Sequence, residues 1–314
     1  MVKPKELRVR PTPGALAKHS SGKKIQRCRA ALLPALTRIM RMFVALMCPA
    51  VPLLAQQAGA QQPATGTSTE ELQKAVQNPV ANLISVPFQE NMNADIGPYG
   101  RNQSVLNFQP VIPTRLGDKW LLVSRIIAPI IYQPEVTQRD LGASGLGDIN
   151  PTFFIGPLKP KRLIWAVGPA LVFPSGTGSM LGQGKWSIGP SAVALAQPGR
   201  WTIGALVNNV WSFAGQTGRP DVNQMLLQYF INYNLDRGWY LSSSPIVTAN
   251  WKAPNGDQWL VPVGGGVGRV FRLGFQPVNA SLQVFGNAVR PSKIPSSPWG
   301  VRFQFTFLFP QKKK

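Results

Sequence analysis

From residue 83 onward the chain alternates apolar and polar positions with a period of two. Between Leu83 and Ile96 the even positions hold Ile84, Val86, Phe88, Glu90, Met92, Ala94 and Ile96. The odd ones include Ser85, Gln89, Asn91, Asn93 and Asp95. Only Glu90 interrupts the apolar face. Successive side chains of a strand point to opposite faces, so this segment predicts a strand with one greasy and one wet face, long enough to cross a bilayer. Met225, Leu227, Tyr229, Ile231, Tyr233 and Leu235 repeat the pattern against Gln224, Gln228, Asn232 and Asn234. At the end of the chain Trp299, Val301, Phe303, Phe305, Phe307 and Phe309 alternate with Arg302, Gln304 and Thr306.

Twelve segments of this kind are predicted, near 82–96, 104–114, 119–133, 146–156, 163–174, 186–196, 201–213, 222–235, 239–251, 259–270, 275–288 and 299–309. Short and long connections alternate between them. Trp120, Trp201 and Trp239 each follow a short turn, whereas Trp186, Trp251, Trp259 and Trp299 flank long loops, as two aromatic girdles would. Lipid offers no hydrogen bonds, so a spanning sheet must join its own edges. The expected fold is all-β, a closed antiparallel transmembrane β-barrel of about twelve strands, with short turns toward the periplasm and longer loops outside. A soluble secreted β-protein also alternates, but it would have to hide Phe303, Phe305 and Phe307 in a core.

The segments before the barrel differ in kind. Residues 42–55 (MFVALMCPAVPLLA) have the length of a signal-peptide core and are too short to span a bilayer. Arg38 and Arg41 precede them and Ala58-Gly59-Ala60 follows, so cleavage after Ala60 is expected. Residues 1–60 are thus a leader, with 40–60 as the signal peptide. Residues 1–39 are either an over-long basic start or sequence upstream of a true start at Met40 or Met42. Residues 61–81 read as a periplasmic linker with a short helix at 69–76, capped by Thr69. The barrel occupies 82–309 and a basic tail 310–314.

Charge changes little. The net charge of +21 suggests nucleic acid at first, but the leader holds eleven of the 33 bases and one of the 12 acids. The remaining bases sit mostly in turns and form no stripe, so no nucleic-acid partner is expected. Loop bases such as Arg101, Arg139, Lys185, Arg219, Lys252, Arg290 and Lys293 either meet anionic lipopolysaccharide or are simply solvated. Cys28, Cys48 and His19, the only cysteines and histidine, all lie in the leader. Beyond the leader, disulfides, thiol nucleophiles, Ser-His triads and the usual zinc sites have no residues to use. The expectation is a non-enzyme without metal or cofactor.

Candidate lumen residues come from the wet faces: Ser85, Gln89, Asn91, Asn93 and Asp95, then Asn107, Gln109, Gln228, Asn232, Arg302 and Gln304. Arg125 interrupts an apolar strand, and a lipid-facing arginine near the midplane costs roughly 2–4 kcal/mol, so it is expected to point inward. Asp148 follows Gly145 and Gly147, as either a gating contact or, more simply, a turn residue bonded to its own backbone. Ser175-Gly176-Thr177-Gly178 lacks the spacing of a phosphate loop. Gly264-Gly265-Gly266-Val267-Gly268 suits bending or close backbone approach.

Several motifs carry a family resemblance. Residues 77–89 (QNPVANLISVPFQ) and 107–113 (NFQPVIP) resemble the opening strands of proteobacterial outer-membrane proteins often labelled "neuromedin U". These are similar to the broader family named for a phenol-degradation (MetA) pathway. Residues 145–149 (GLGDI), 168–177 (GPALVFPSGT) and 186–190 (WSIGP) are similar to later elements of that family. The resemblance implies a barrel in the cell outer membrane with a transporter role and supplies no catalytic residues. Partners so implied or expected are outer-membrane lipid and lipopolysaccharide, the assembly machinery that reads a final aromatic strand, and a small-molecule solute. The expected function is a channel or transporter for small solutes, hydrophobic or aromatic ones included. The alternative is a structural or surface-interaction barrel without transport.

Overall fold

The computed structural model describes residues 68–136 and 141–310. The expected leader with its cleavage site, Arg139, and the tail beyond Pro310 lie outside them. A helix, α1 (Thr69–Val76), precedes fifteen strand segments: β1 (Leu83–Ile96), β2 (Arg101–Phe108), β3 (Val111–Leu116), β4 (Trp120–Pro134), β5 (Gly142–Leu146), β6 (Asn150–Pro157), β7 (Leu163–Val172), β8 (Lys185–Ala196), β9 (Trp201–Gly215), β10 (Asn223–Asn234), β11 (Trp239–Ser243), β12 (Ile246–Asn250), β13 (Trp259–Leu273), β14 (Gln276–Val289) and β15 (Trp299–Pro310).

These segments form twelve antiparallel crossings, because β2–β3, β5–β6 and β11–β12 each make one interrupted strand. The sheet closes on itself: β1 pairs with β15 from Leu83↔Pro310 to Ala94↔Trp299. Closure leaves no free edge in the bilayer, the condition that lipid imposes.

The three interruptions were not expected. Pro110 has no N–H to give, and around it the ladder continues as Gln109 N–H donates to Pro87 O and Ile126 N–H donates to Pro110 O. Gly147 N–H still reaches Pro129 O while Asp148 leaves the ladder. Pro245 parts β11 from β12. The helix cap also differs. Ser68, not Thr69, caps α1: its hydroxyl accepts Glu71 N–H at 3.1 Å, and Glu71 accepts Ser68 N–H at 3.2 Å. This reciprocal pair satisfies two free donors of a short helix.

The outer surface is apolar and ends in aromatic rims. Trp120 and Trp165 meet edge to face near the short turns, and Trp251 and Trp259 do so beside a long loop. Phe88 packs on Phe108 and Phe307 where the barrel closes. Glu90 shares this outer face, with its carboxylate accepting the Ser104 hydroxyl at 2.7 Å.

The interior is packed at the short-turn end. Val80 joins Leu121, Val123, Phe154, Val193, Leu195, Leu206 and Phe230 from the inner faces of β4 to β10. Leu72 of α1 joins Leu83, Tyr240, Val270 and Leu308 from the other side. The N-terminal segment is therefore threaded into the barrel. Burying side chains of this size stabilises by about 1.5–3 kcal/mol each.

Candidate functional site: a floored lumen and a stapled loop

The floor is α1 and the turn after it. Gln73, almost fully buried, donates from Nε2 to Trp239 O at 2.9 Å and Leu235 O at 3.3 Å. Gln77 Nε2 donates to Asn234 Oδ1 at 2.7 Å, and Gln197 Nε2 donates to Lys74 O at 2.8 Å. Four polar contacts and two apolar anchors thus fix the segment across the short-turn opening.

Above it lies a cavity of about 160 Å³. Its wall includes Ser85, Gln89, Gln109, Arg125, Gln228, Asn232 and Gln304, together with Tyr240, Asn279, Ser281, Gln283 and Thr306. The register explains this gathering. Gln89 opposes Gln304 and Asn107, Asn91 opposes Arg302, and Arg302 opposes Gln283, so one parity of β1, β2, β14 and β15 faces inward throughout. Val111 opposes both Ser85 and Arg125, which places the guanidinium on the same inner face. Its Nη2 donates to Gln109 Oε1 at 2.9 Å. Arg302 donates from Nε to Asn91 Oδ1 at 2.9 Å and from Nη1 to Ser244 O at 2.7 Å. Gln304 Nε2 donates to the Thr306 hydroxyl at 3.1 Å.

Asn93 lies higher, donating from Nδ2 to Gln103 Oε1 at 2.7 Å. Asp95 stands apart from the wall. The β1–β2 register shifts between Asn93 and Ile96, and Asp95 sits exposed in that bulge with φ of 58°.

The residues on β11 to β14 escaped the sequence reading. Their signal was present, since Val278, Ala280, Leu282 and Val284 alternate with Asn279, Ser281 and Gln283. Tyr240 donates its O–H to Asn279 Oδ1 at 2.8 Å. Its ring lies where a Cβ on Gly268 would be, 2.2 Å from the nearest ring carbon. That close approach explains one glycine of the 264–268 run.

The roof is the loop between β7 and β8. Asp148 accepts Gly176 N–H at 3.0 Å on Oδ1 and Gln183 N–H at 2.6 Å on Oδ2. Its partners lie 28 and 35 residues away, so it staples a loop and does not serve a local turn. Arg219 clamps the same loop through Ser179 O at 2.8 Å, Gln183 O at 3.2 Å and Gly182 O. Leu181 is buried close to Gly145 and Gly147, and Gln183 Nε2 donates to the inward-facing Gln224 of β10 at 2.8 Å. The loop therefore bridges the long-loop end from β5 to β10.

A second staple ties two outer loops. Asp257 Oδ1 accepts Ser292 N–H at 2.6 Å, the Ser292 hydroxyl at 3.0 Å and Lys293 N–H at 3.3 Å. The Ser292 N–H above all holds this carboxyl below the usual carboxylate range.

No family model and no curated protein matches the chain. Solved structures do. An outer membrane channel from Pseudomonas putida F1 superposes with a TM-score of 0.57 at 14% identity, over 72% of this chain and 94% of that one. This chain has the fold of an outer-membrane β-barrel. The NanC porin follows at a TM-score of 0.44 and 8% identity, over 73% and 100%. Outer membrane phospholipase A from Escherichia coli follows at 0.40 and 12%, over 73% and 93%.

The last of these corrects one expectation. The absence of Cys and His beyond the leader led to a reading as a non-enzyme. Barrels similar to this chain include one named as a phospholipase. The fold does not decide enzyme status.

Proposed function

We propose that this barrel is an outer-membrane channel for small solutes, including those with a hydrophobic or aromatic part. One observation carries the reading: an amide- and hydroxyl-lined cavity sits on a threaded floor, and a loop is stapled across part of the long-loop end, both separate from the closed wall. A barrel serving only as a structural element gains nothing from keeping a polar chamber inside. The wall also has apolar stretches at Leu206, Phe230 and Tyr240, which suit a solute with a non-polar face. The resemblance of the opening strands to the "neuromedin U"-labelled and MetA-pathway proteins agrees with such a role.

Liposome swelling tests it. The chain from Gln61 is refolded, reconstituted and challenged with glycine, glutamine, phenylalanine and a disaccharide. Swelling in glycine, none in the disaccharide, and entry of phenylalanine no slower than glutamine are expected. Rates equal to empty liposomes for every solute would remove the channel reading and leave a structural or surface role.

A further inference from the structure

Arg125 and Arg302 form an uncompensated pair of cations inside the barrel. Among the described acids only two lie within strands: Glu90 faces outward, and Asp95 is exposed at the rim. Two ion pairs, Lys185–Asp221 and Arg200–Asp236, are at the barrel ends. Arg125 meets Gln109 only, and Arg302 meets Asn91 and Ser244, all neutral acceptors. Arg125 lines the cavity, and Arg302 reaches its wall through the bond from Nη1 to Ser244 O. Interior charges are ordinarily paired, because leaving one without a counter-charge in a low-dielectric space is costly. A second like charge at the wall of the chamber adds to the problem, and an anion in the chamber relieves it.

The geometry fits one class of anion. A guanidinium presents a planar fork that matches a carboxylate through two parallel hydrogen bonds. Gln109 takes one Nη2 hydrogen bond of Arg125, which leaves the rest of its fork toward the cavity it lines. Arg302 lies over the Phe285 ring, its Cζ 4.8 Å from the centroid, with Nη2 unused by its two protein acceptors. Beside Arg125 the wall turns apolar at Val111, Leu206 and Phe230. A bare mineral anion would leave that wall in contact with its hydration shell, whereas a short hydrocarbon tail covers it.

We propose that the chamber lined by Arg125, with Arg302 bonded to its wall at Ser244, is a binding site for a small carboxylate with a short apolar tail. The site deepens the solute reading above and rests on solute entering the lumen, but binding does not require passage through the floor.

The test measures binding on the folded barrel in detergent micelles, so that a closed channel does not obscure it. Equilibrium dialysis with radiolabelled butyrate is run on the chain from Gln61, with unlabelled butyramide and inorganic phosphate as competitors. Heat-modifiable gel mobility confirms folding of each variant. Saturable butyrate binding is expected, displaced by neither competitor at equal concentration. Arg125→Gln and Arg302→Gln should each weaken it about tenfold or more, and Arg125→Lys less than Arg125→Gln. Unsaturable binding, unchanged affinity in both glutamine variants, or equal displacement by phosphate would overturn the proposal. A barrel that binds butyrate yet causes no liposome swelling would keep this site and remove the channel reading alone.

Discussion

The carboxylate of Asp148 accepts the backbone N–H of Gln183 at 2.6 Å, across 35 residues of chain. With the bond to Gly176 N–H, it pins both limbs of the 173–184 loop. Asp148→Ala removes both acceptors and leaves two N–H groups to find new ones, a cost of about 1–3 kcal/mol for each that stays buried. The loop should loosen while the barrel stays folded. Hydrogen exchange reads this directly: the Gly176 and Gln183 amides lose protection in the variant, and those of β13 and β14 do not. Unchanged protection at Gln183 would show that Arg219 alone holds the loop.

Asp257 makes the outer loops pH-sensitive. Its carboxyl is held below the ordinary value near 3.9 by Ser292 N–H first, then by the Lys293 N–H and the Ser292 hydroxyl. A depressed folded value means that the staple contributes fully above the unfolded value and is lost as pH falls through the folded one. Protection factors at Ser292 and Lys293 should therefore be high at pH 6 and fall below about pH 4. Asp257→Asn should give low factors at both. Equal protection in wild type at pH 6 and pH 2.5 would contradict this.

Among the described residues Glu90 is the one acid on the membrane-facing strand surface, bonded to Ser104. Acids on a lipid face destabilise a barrel, though less than Lys or Arg do. Glu90→Leu should raise the temperature at which the folded gel band is lost, corresponding to roughly 1 kcal/mol. A lower transition temperature would mean that the Ser104 bond contributes more than the carboxylate costs.

Much of the fold was legible in the sequence because a barrel writes itself in period-two alternation. Phe303, Phe305 and Phe307 against Arg302, Gln304 and Thr306 define a face without any knowledge of neighbours. The interruptions at Gln109-Pro110 and Ser244-Pro245 break backbone ladders without breaking the side-chain pattern, so the pattern hides them. The inward direction of Arg125 follows from cost alone. Asp148 was different: its partners are backbone N–H groups of a loop, and backbone groups carry no sequence signal. The threaded floor was half visible. Leu72, Val76 and Val80 recur every four residues, as a buried helical face would, but three residues cannot say what they are buried against.

The floor is where the channel reading is most exposed. Leu72, Gln73, Gln77 and Val80 fix residues 69–81 across the opening, and none of the β1–β15 pairings that close the wall involves them. A chain starting at Asn82 should keep the barrel and lose its floor. Single-channel currents in planar bilayers compare that shortened chain with one starting at Gln61, each confirmed as folded by its heat-modifiable mobility. Discrete steps are expected from both, several times larger in the shortened chain. Folded but silent barrels in both cases would contradict a channel and make the chamber a closed pocket.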